Sequence, residues 1–460
     1  MGEEHLEGIR ALVMGLGFHG GGVETVRYLV RMGAVVRCTD LNSKKLIGPS
    51  LEALSNLDVE FVLGEHRKKD FDWADIIIKN PAVPASSPWI AGRNNVETDI
   101  SLFLRRCKSS VLALTGSKGK STAVSALLHF LKFRHPGARL GGNITISPLA
   151  FSHLLKPSDP VILELSSWQL ADLRGRKLLR PKIAGIINLM HDHQNRYSNF
   201  ADYEADKTTI FELQGENDFS IFPDNEYGQK WRDVSRAKSY LVRKSEPREI
   251  SFRGSFIGGN GIGYFSDGRE REPLLAKELR VPGEAFRLNL LFAGTAARLW
   301  GLDSREILKA SASFGGIPYR MEFFLERDGI RYYDDTASTI PNATAAALLA
   351  MDRPVILIIG GTDKELDFSP FDKLAKKAKS IIMLAGSATD IWLPRLRAMG
   401  LKIEDAKHSM AAAVAAAQKE AESGDAVILS PGSASFGMFR HEFERGDVFK
   451  ALVLQNNRVI

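Results

Sequence analysis

The stretch VLALTGSKGKSTAVSALLHFLKF, residues 111–133, decides the fold. An apolar run enters a turn holding two glycines, and an amphipathic segment follows, so the chain passes from strand through glycine turn to helix. That order aims backbone N–H groups and the positive end of the helix dipole at one point, where phosphate oxygens bind. The turn itself is Thr115, Gly116, Ser117, Lys118, Gly119, Lys120, Ser121 and Thr122. Lys120 is placed to reach terminal phosphates, and the Ser121 hydroxyl to ligate Mg²⁺. Leu114 stands where G-x-x-x-x-G-K-[ST] has its first glycine. A glycine-rich turn with a solvated lysine is the plainer reading, but the strand context and G-K-S-T favour nucleotide binding.

A turn of the same build lies upstream in LVMGLGFHGGG, residues 12–22. Gly15, Gly17 and Gly20 complete G-x-G-x-x-G, and Asp40 follows where a ribose-binding acid is expected. Alone, this pattern suggests a nicotinamide-dependent oxidoreductase. A dehydrogenase does not need the second loop, so the pair favours an enzyme using ATP on a substrate that itself carries a phosphate or nucleotide.

Around these turns the chain reads as three α/β blocks: residues 1–108, 109–316 and 317–460. In the first, strand-like ALVMG, VVRCTD, VEFVLG and DIIIKN with a helical pattern over residues 23–32 predict a parallel, doubly wound sheet. PAVPASSP, residues 81–88, is a breaker-rich loop at its carboxyl end. The second block adds strands at the start of VILELSSWQL and IAGIINLM, a hairpin over residues 252–265 and a helix near 285–300. The third opens on a hairpin turning at Asp328-Gly329. A helix over 343–351, the buried strands VILIIGG and SIIMLAG, an alanine-rich helix near 411–421 and the strand AVIL follow. The expected architecture is an N-terminal Rossmann-like doubly wound sheet, a central P-loop ATP-binding domain and a C-terminal Rossmann-like α/β domain.

Composition narrows the partners. With 44% hydrophobic and 25% charged residues, the sequence is that of a globular protein. A net charge of +6 on 460 residues, without lysine- or arginine-dense stretches interleaved with aromatics, argues against nucleic acid. The apolar runs are too short to span a bilayer, so no membrane insertion is expected. Cys38 and Cys107 form no CxxC pair, and the start MGEEHLEGIR is acidic and polar, so a cytoplasmic location is expected.

The string T-G-S-K-G-K-S-T resembles the ATP loop of the Mur ligases, the amide-forming enzymes of peptidoglycan precursor synthesis. GLGFHG (residues 15–20), ELSSWQL (164–170), DHQNRY (192–197) and LSPGSASFGMF (429–439) resemble the D-glutamate-adding branch, in the family's order and across all three blocks. The resemblance implies an ATP-dependent ligase that adds D-glutamate to UDP-N-acetylmuramoyl-L-alanine through an acyl phosphate. It also implies small-molecule substrates, Mg²⁺ at two sites and a monomer.

The resemblance also assigns residues. Lys120, His193 and a carbamylated Lys207 take catalytic roles, and Ser121, Glu164, His193 and Lys207 hold metal. Phe18, His19, Asp40 and Asn80 fall at the uridine end of the substrate, and Asn143, Ser166 and Gln169 along its muramoyl–diphosphate path. Residues 115–122 bind ATP together with Asn289 at the adenine, Arg320 at a phosphate and Asp335 at the ribose. Lys364, Ser435 and Thr339 hold the D-glutamate carboxylates. Four motifs depart from the family: GEAFRLN has Ala285-Phe286 for His-Asn, Tyr319-Arg320 replaces His-Arg, DTAST has Ala337 for lysine, and HEF (441–443) replaces an asparagine-phenylalanine ending. Three alternatives remain open: a sibling ligase with another amino acid, the oxidoreductase, and a non-catalytic nucleotide-binding protein.

Overall fold

The computed structural model describes residues 6–17, 20–144, 146–191, 197 and 199–455. They form two compact units, residues 1–277 with 288–311 and residues 278–287 with 312–460. The first unit contains two sheets and the second unit one.

The first sheet holds β1 (Arg10–Met14), β2 (Val35–Asp40), β3 (Val59–Leu63), β4 (Ile76–Lys79) and β5 (Val96–Glu97), in the order β3-β2-β1-β4-β5 and parallel throughout. This is the doubly wound arrangement expected from the alternating segments. The strand order reverses between β1 and β4, which opens a crevice beyond their carboxyl ends. The helix Gly21–Arg31 covers one face through Val23, Val26 and Leu29, all buried at helical spacing.

The second sheet comprises β6 (Val111–Thr115), β7 (Arg139–Gly142), β8 (Val161–Glu164), β9 (Ile183–Ile186), β10 (Phe219–Pro223), β11 (Lys238–Arg243), β12 (Arg253–Ile257), β13 (Gly263–Asp267) and β14 (Arg271–Leu275). Its order is β14-β13-β12-β11-β10-β9-β6-β8-β7, with β13 and β14 antiparallel. The predicted hairpin is β12–β13. The predicted helix runs Glu284–Trp300, and a further helix, Ser304–Ser313, follows it. β7 escapes sequence reading because its four residues, RLGG, carry one large apolar side chain.

In the second unit, β15 (Glu322–Arg327) and β16 (Ile330–Asp334) form the predicted hairpin, with Asp328 and Gly329 at φ +53° and +76°. β17 (Val355–Gly360), β18 (Ser380–Leu384) and β19 (Ala426–Leu429) complete the order β15-β16-β19-β17-β18. β17 is apolar at every position but its last because both its faces are covered: Leu357 and Ile359 enter one core, Ile356 and Ile358 another. Among the described residues no helix is long and apolar enough to cross a membrane. Both cysteines are free, Cys38 buried.

Candidate active site

In the first unit a cleft of about 690 Å³ extends from the reversal point of the first sheet to the phosphate-type turn after β6. Gly15, Gly17, Asp40, Asn80, Gly116, Lys120, Asn143, Ser166, Gln169 and Lys207 all line it, so residues predicted from distant motifs share one cavity. At its first end, Gly15 and Gly17 have φ of +89° and +68°, and a Cβ on Gly15 would lie 2.9 Å from Asn80 Cβ. The close contact thus joins the loops after β1 and β4. Asn80 Nδ2 donates to the Gly15 carbonyl oxygen at 3.4 Å.

Asp40, predicted to meet a ribose, is buried and engaged by the chain. Its Oδ2 accepts from the backbone N–H of Leu16 at 2.8 Å and of Gly17 at 3.2 Å. Its Oδ1 accepts from the backbone and side-chain nitrogens of Asn42, both at 2.8 Å. The carboxylate braces the glycine turn. Phe18 and His19, predicted at the same end, lie outside the described residues, as does His193.

At the other end Gly119, φ +81°, caps the helix Lys120–Leu131. The turn is clamped by Asn188, whose Oδ1 accepts from the N–H of Ser117 and of Lys118, each at 2.9 Å. Asn188 is a residue that sequence reasoning missed; it lies just past β9, and only the pairing of β9 with β6 brings it there. Lys120 Nζ and Lys207 Nζ both donate to the Gly116 carbonyl oxygen, each at 2.9 Å. Lys207 is 1% exposed, also donates to Thr115 Oγ1 at 3.3 Å, and lies 4.7 Å from the Tyr203 ring centre. Ser121 and Thr122 follow Lys120 in the first helical turn. A Cβ on Gly119 would fall 2.4 Å from Asn289 Oδ1, which puts the predicted adenine residue against the turn.

Glu164 ends β8, paired in register with Leu114 of β6, and is fully buried. Its Oε1 accepts from Asn143 Nδ2 at 3.1 Å. Ser166 and Gln169 form a reciprocal capping box on the helix Ser167–Leu173, each side chain bonding the other's backbone. Lys79, buried at the end of β4, pairs with Asp172 of that helix at 2.6 Å and donates to the Val83 carbonyl oxygen at 2.9 Å. It thereby ties the loop after β4 to the helix carrying Gln169. An apolar strand ending in lysine was its only signal in the sequence. Among the described residues no group of three or more histidine, cysteine, aspartate or glutamate side chains converges as a metal site.

In the second unit the predicted residues collect on loops at the carboxyl ends of the adjacent strands β16, β19 and β17. Asp335 accepts from Ser338 Oγ and Ser430 Oγ, each at 2.6 Å, and from the Met321 N–H at 3.0 Å. Burial pushes its carboxyl up to about 6. Asp334 is likewise raised by burial to about 6, while Lys450, 3.5 Å away, pulls it down. Arg320 is exposed between Tyr319 and Met321, both in the left-handed region at φ +65° and +45°. The loops of Lys364 and Ser435 are joined by paired backbone bonds between Thr362 and Ala434. Lys364 Nζ sits 4.7 Å from the Phe436 ring centre, and Ser435 is buried. Thr339 follows β16 in the neighbouring loop. Buried Arg445, not foreseen, binds Thr336 Oγ1, the Thr336 carbonyl and the Ser433 carbonyl at 3.0–3.1 Å, and so locks these loops together. Phe286, at the altered adenine motif, stacks on Phe314 with ring centres 5.9 Å apart.

Comparison with known proteins bears on this geometry. Three family models match: Mur ligase MurD-like N-terminal domain over residues 9–101, Mur ligase middle domain over 114–297, and Mur ligase glutamate ligase domain over 319–432. The chain is 38% identical to a UDP-N-acetylmuramoylalanine–D-glutamate ligase of Borreliella afzelii, covering 98% of each chain. It is 35% identical to the enzyme of that name from Treponema pallidum, over 97% of this chain and 98% of the relative. Its fold matches MurF from Acinetobacter baumannii with a TM-score of 0.57 at 16% identity, covering 98% and 92% of the two chains. UDP-N-acetylmuramate-alanine ligase from Thermotoga maritima matches with a TM-score of 0.56 at 16% identity, covering 98% and 100%.

Proposed function

The chain belongs to the Mur ligase family, and on that premise we propose that it joins D-glutamate to UDP-N-acetylmuramoyl-L-alanine, converting ATP to ADP and phosphate. A substrate carboxylate oxygen attacks the γ-phosphorus and ADP leaves. The amine of D-glutamate then attacks the acyl carbon, loses a proton, and phosphate departs as the amide forms. The observation that carries this reading is a cleft of the first unit that has one glycine turn at one end and, at the other, the phosphate-type turn with Lys120 on its Gly116 carbonyl. The Lys120 ammonium, set with the N–H groups at the start of the helix Lys120–Leu131, favours an anion beside the turn, and a triphosphate supplies it.

The three domains divide the work, residues 1–108 holding the uridine end, 109–316 the ATP and 317–460 the amino acid. Residues 115–122 and Asn289 take ATP, with Lys120 stabilising charge on the transferred phosphoryl. Arg320 and Asp335 complete the nucleotide contacts. Asn143, Ser166 and Gln169 orient the sugar diphosphate. Thr339, Lys364 and Ser435 receive the D-glutamate carboxylates. The enzyme works as a cytoplasmic monomer.

The donor set suits Mg²⁺. A fully buried carboxylate, Glu164, stands next in register to the phosphate turn, with the Ser121 hydroxyl in the adjoining helix. Ser121 and Glu164 would hold one ion, and His193 with Lys207 the second. Bound there, the metal would neutralise phosphate charge. Carbamylation of Lys207 removes one of the two ammonium groups at Gly116 and supplies an anionic oxygen. Carbon-13 NMR with labelled bicarbonate tests it: a carbamate signal is expected that Lys207→Met lacks.

The decisive assay is ADP release with each substrate omitted in turn and the product weighed. Release that ignores both the nucleotide sugar and D-glutamate overturns the reading. Ala337, where the family has lysine, favours one second reading: a Mur ligase with a different amino-acid acceptor. A product mass matching another amino acid would select it.

A further inference from the structure

Past the first glycine turn, the cleft is bordered by Leu41, Asn42 and His66. In a doubly wound sheet the diphosphate sits at the helix N-terminus and the nucleoside extends past the end of the neighbouring strand, here β2. Asp40 is not free to receive it. A carboxylate offers about four lone-pair positions. Leu16, Gly17 and the two nitrogens of Asn42 take all of them.

His66 has capacity left. Its Nδ1 lies 2.8 Å from Thr39 Oγ1, and that same hydroxyl donates to the Glu65 carbonyl oxygen at 3.1 Å. A hydroxyl has one proton. With that proton on Glu65, the first contact is a hydrogen bond only if Nδ1–H donates to the threonine oxygen. The consequent tautomer has a bare lone pair on Nε2, which bonds no described residue. The ring is held by edge contacts with Phe71 and Trp89, centres 5.7 and 5.4 Å away. Burial lowers its pKa, which keeps it neutral near pH 7.

We propose that His66 selects the base of the nucleotide substrate, its Nε2 accepting the imide N3–H of a uracil. Cytosine presents a lone pair at N3 instead, so acceptor would face acceptor. The assignment rests on the ligase reading and adds to it the residue that makes a uridine nucleotide, and not a cytidine one, the substrate.

Calorimetric titration of the full chain with UDP, CDP, N3-methyl-UDP and 2′-deoxy-UDP tests it. The native protein should bind UDP and 2′-deoxy-UDP about tenfold tighter than CDP and N3-methyl-UDP. In His66→Phe, UDP should fall to the level of CDP and N3-methyl-UDP, while those two stay within about threefold of their native affinity. Nitrogen-15 NMR of the native chain should show an Nδ1-protonated His66 whose Nε2 shifts on adding UDP and not N3-methyl-UDP. Equal binding of UDP and N3-methyl-UDP, an Nε2-protonated ring, or a uniform loss across all four ligands in the variant overturns the assignment. Weak 2′-deoxy-UDP binding moves the donor to the ribose and overturns it as well. The ligase reading is judged separately, by ADP release with the uridine sugar, and survives each of these outcomes if that release persists.

Discussion

The two glycine turns of the first unit have the same build and opposite charge. Each follows a buried parallel strand, places glycines at positive φ and opens a helix. In the first, the carboxylate of Asp40 sits on the N–H groups of Leu16 and Gly17, where an incoming phosphate would otherwise bind. In the second, a neutral amide, Asn188, takes the equivalent N–H groups, and two ammonium groups gather on the carbonyl of Gly116. One turn therefore carries its own anion on the N–H groups of Leu16 and Gly17 and leaves the N-terminus of the helix Gly21–Arg31 to the substrate diphosphate, and the other carries a neutral brace with Lys120 beside it and is suited to a triphosphate. A glycine fingerprint fixes backbone shape; the residue that braces it decides the ligand.

The largest test of this contrast is Lys120→Ala. On the role proposed for Lys120 at the transferred phosphoryl, its removal should lower kcat for ADP release by about 10²–10³-fold, while calorimetric affinity for UDP stays native. Retained turnover would mean that the second turn does not serve phosphoryl transfer, and the contrast would break.

Paired glycine substitutions come next. A Cβ on Gly22 would lie 2.2 Å from the backbone oxygen of Leu16, which cannot swing aside. Gly22→Ala should therefore cost about 1–3 kcal/mol in urea unfolding and weaken UDP, leaving the KM for ATP alone. Gly119→Ala meets the movable amide of Asn289 at 2.4 Å and keeps a left-handed backbone, about 1–2 kcal/mol of strain. It should raise the KM for ATP and spare UDP binding. Crossed effects, each variant weakening both ligands, would show that the turns are not independent.

Much of this was legible in the sequence, because strand, glycine turn and helix follow from local pattern. The four strands of the first block, the hairpin at Asp328-Gly329 and the fully apolar VILIIGG all fall where periodicity puts them. Gly15, Gly17 and Gly20 complete the fingerprint, but the glycine packed against the turn is Gly22, whereas Gly20 meets nothing within 4 Å. What stayed hidden is what acts across the chain. Asn188, Lys79 with Asp172, and Arg445 are polar residues at ordinary positions, and only strand order brings them to the loops they hold. Asp40 was found by its spacing, but its four donors cannot be read from spacing.

Asp40→Asn sharpens the contrast at smaller scale. An amide keeps one acceptor oxygen but turns an NH₂ toward N–H groups, so the turn loses hydrogen bonds worth about 1–2 kcal/mol in unfolding free energy. With the negative charge gone, inorganic phosphate should bind the first unit more tightly by calorimetry. If phosphate affinity does not move, charge is not what separates the two turns.

Asp335 carries the comparison to a third braced loop, in the second unit. It accepts two hydroxyls and one N–H, fewer nitrogen donors than Asp40 has, and burial holds it near pH 6. Its folded pKa lies above the usual carboxylate value, so between about pH 4 and 6 the folded chain keeps a proton that the unfolded chain has released. The contribution of this group to stability therefore falls as pH rises through that window and levels off above it. Asp335→Asn does not titrate. Its urea stability relative to the native chain should improve by about 1–3 kcal/mol between pH 4 and 6.5, then run parallel. A gap constant with pH would mean that Asp335 stays ionised in the fold, braced through its charge in the manner of Asp40.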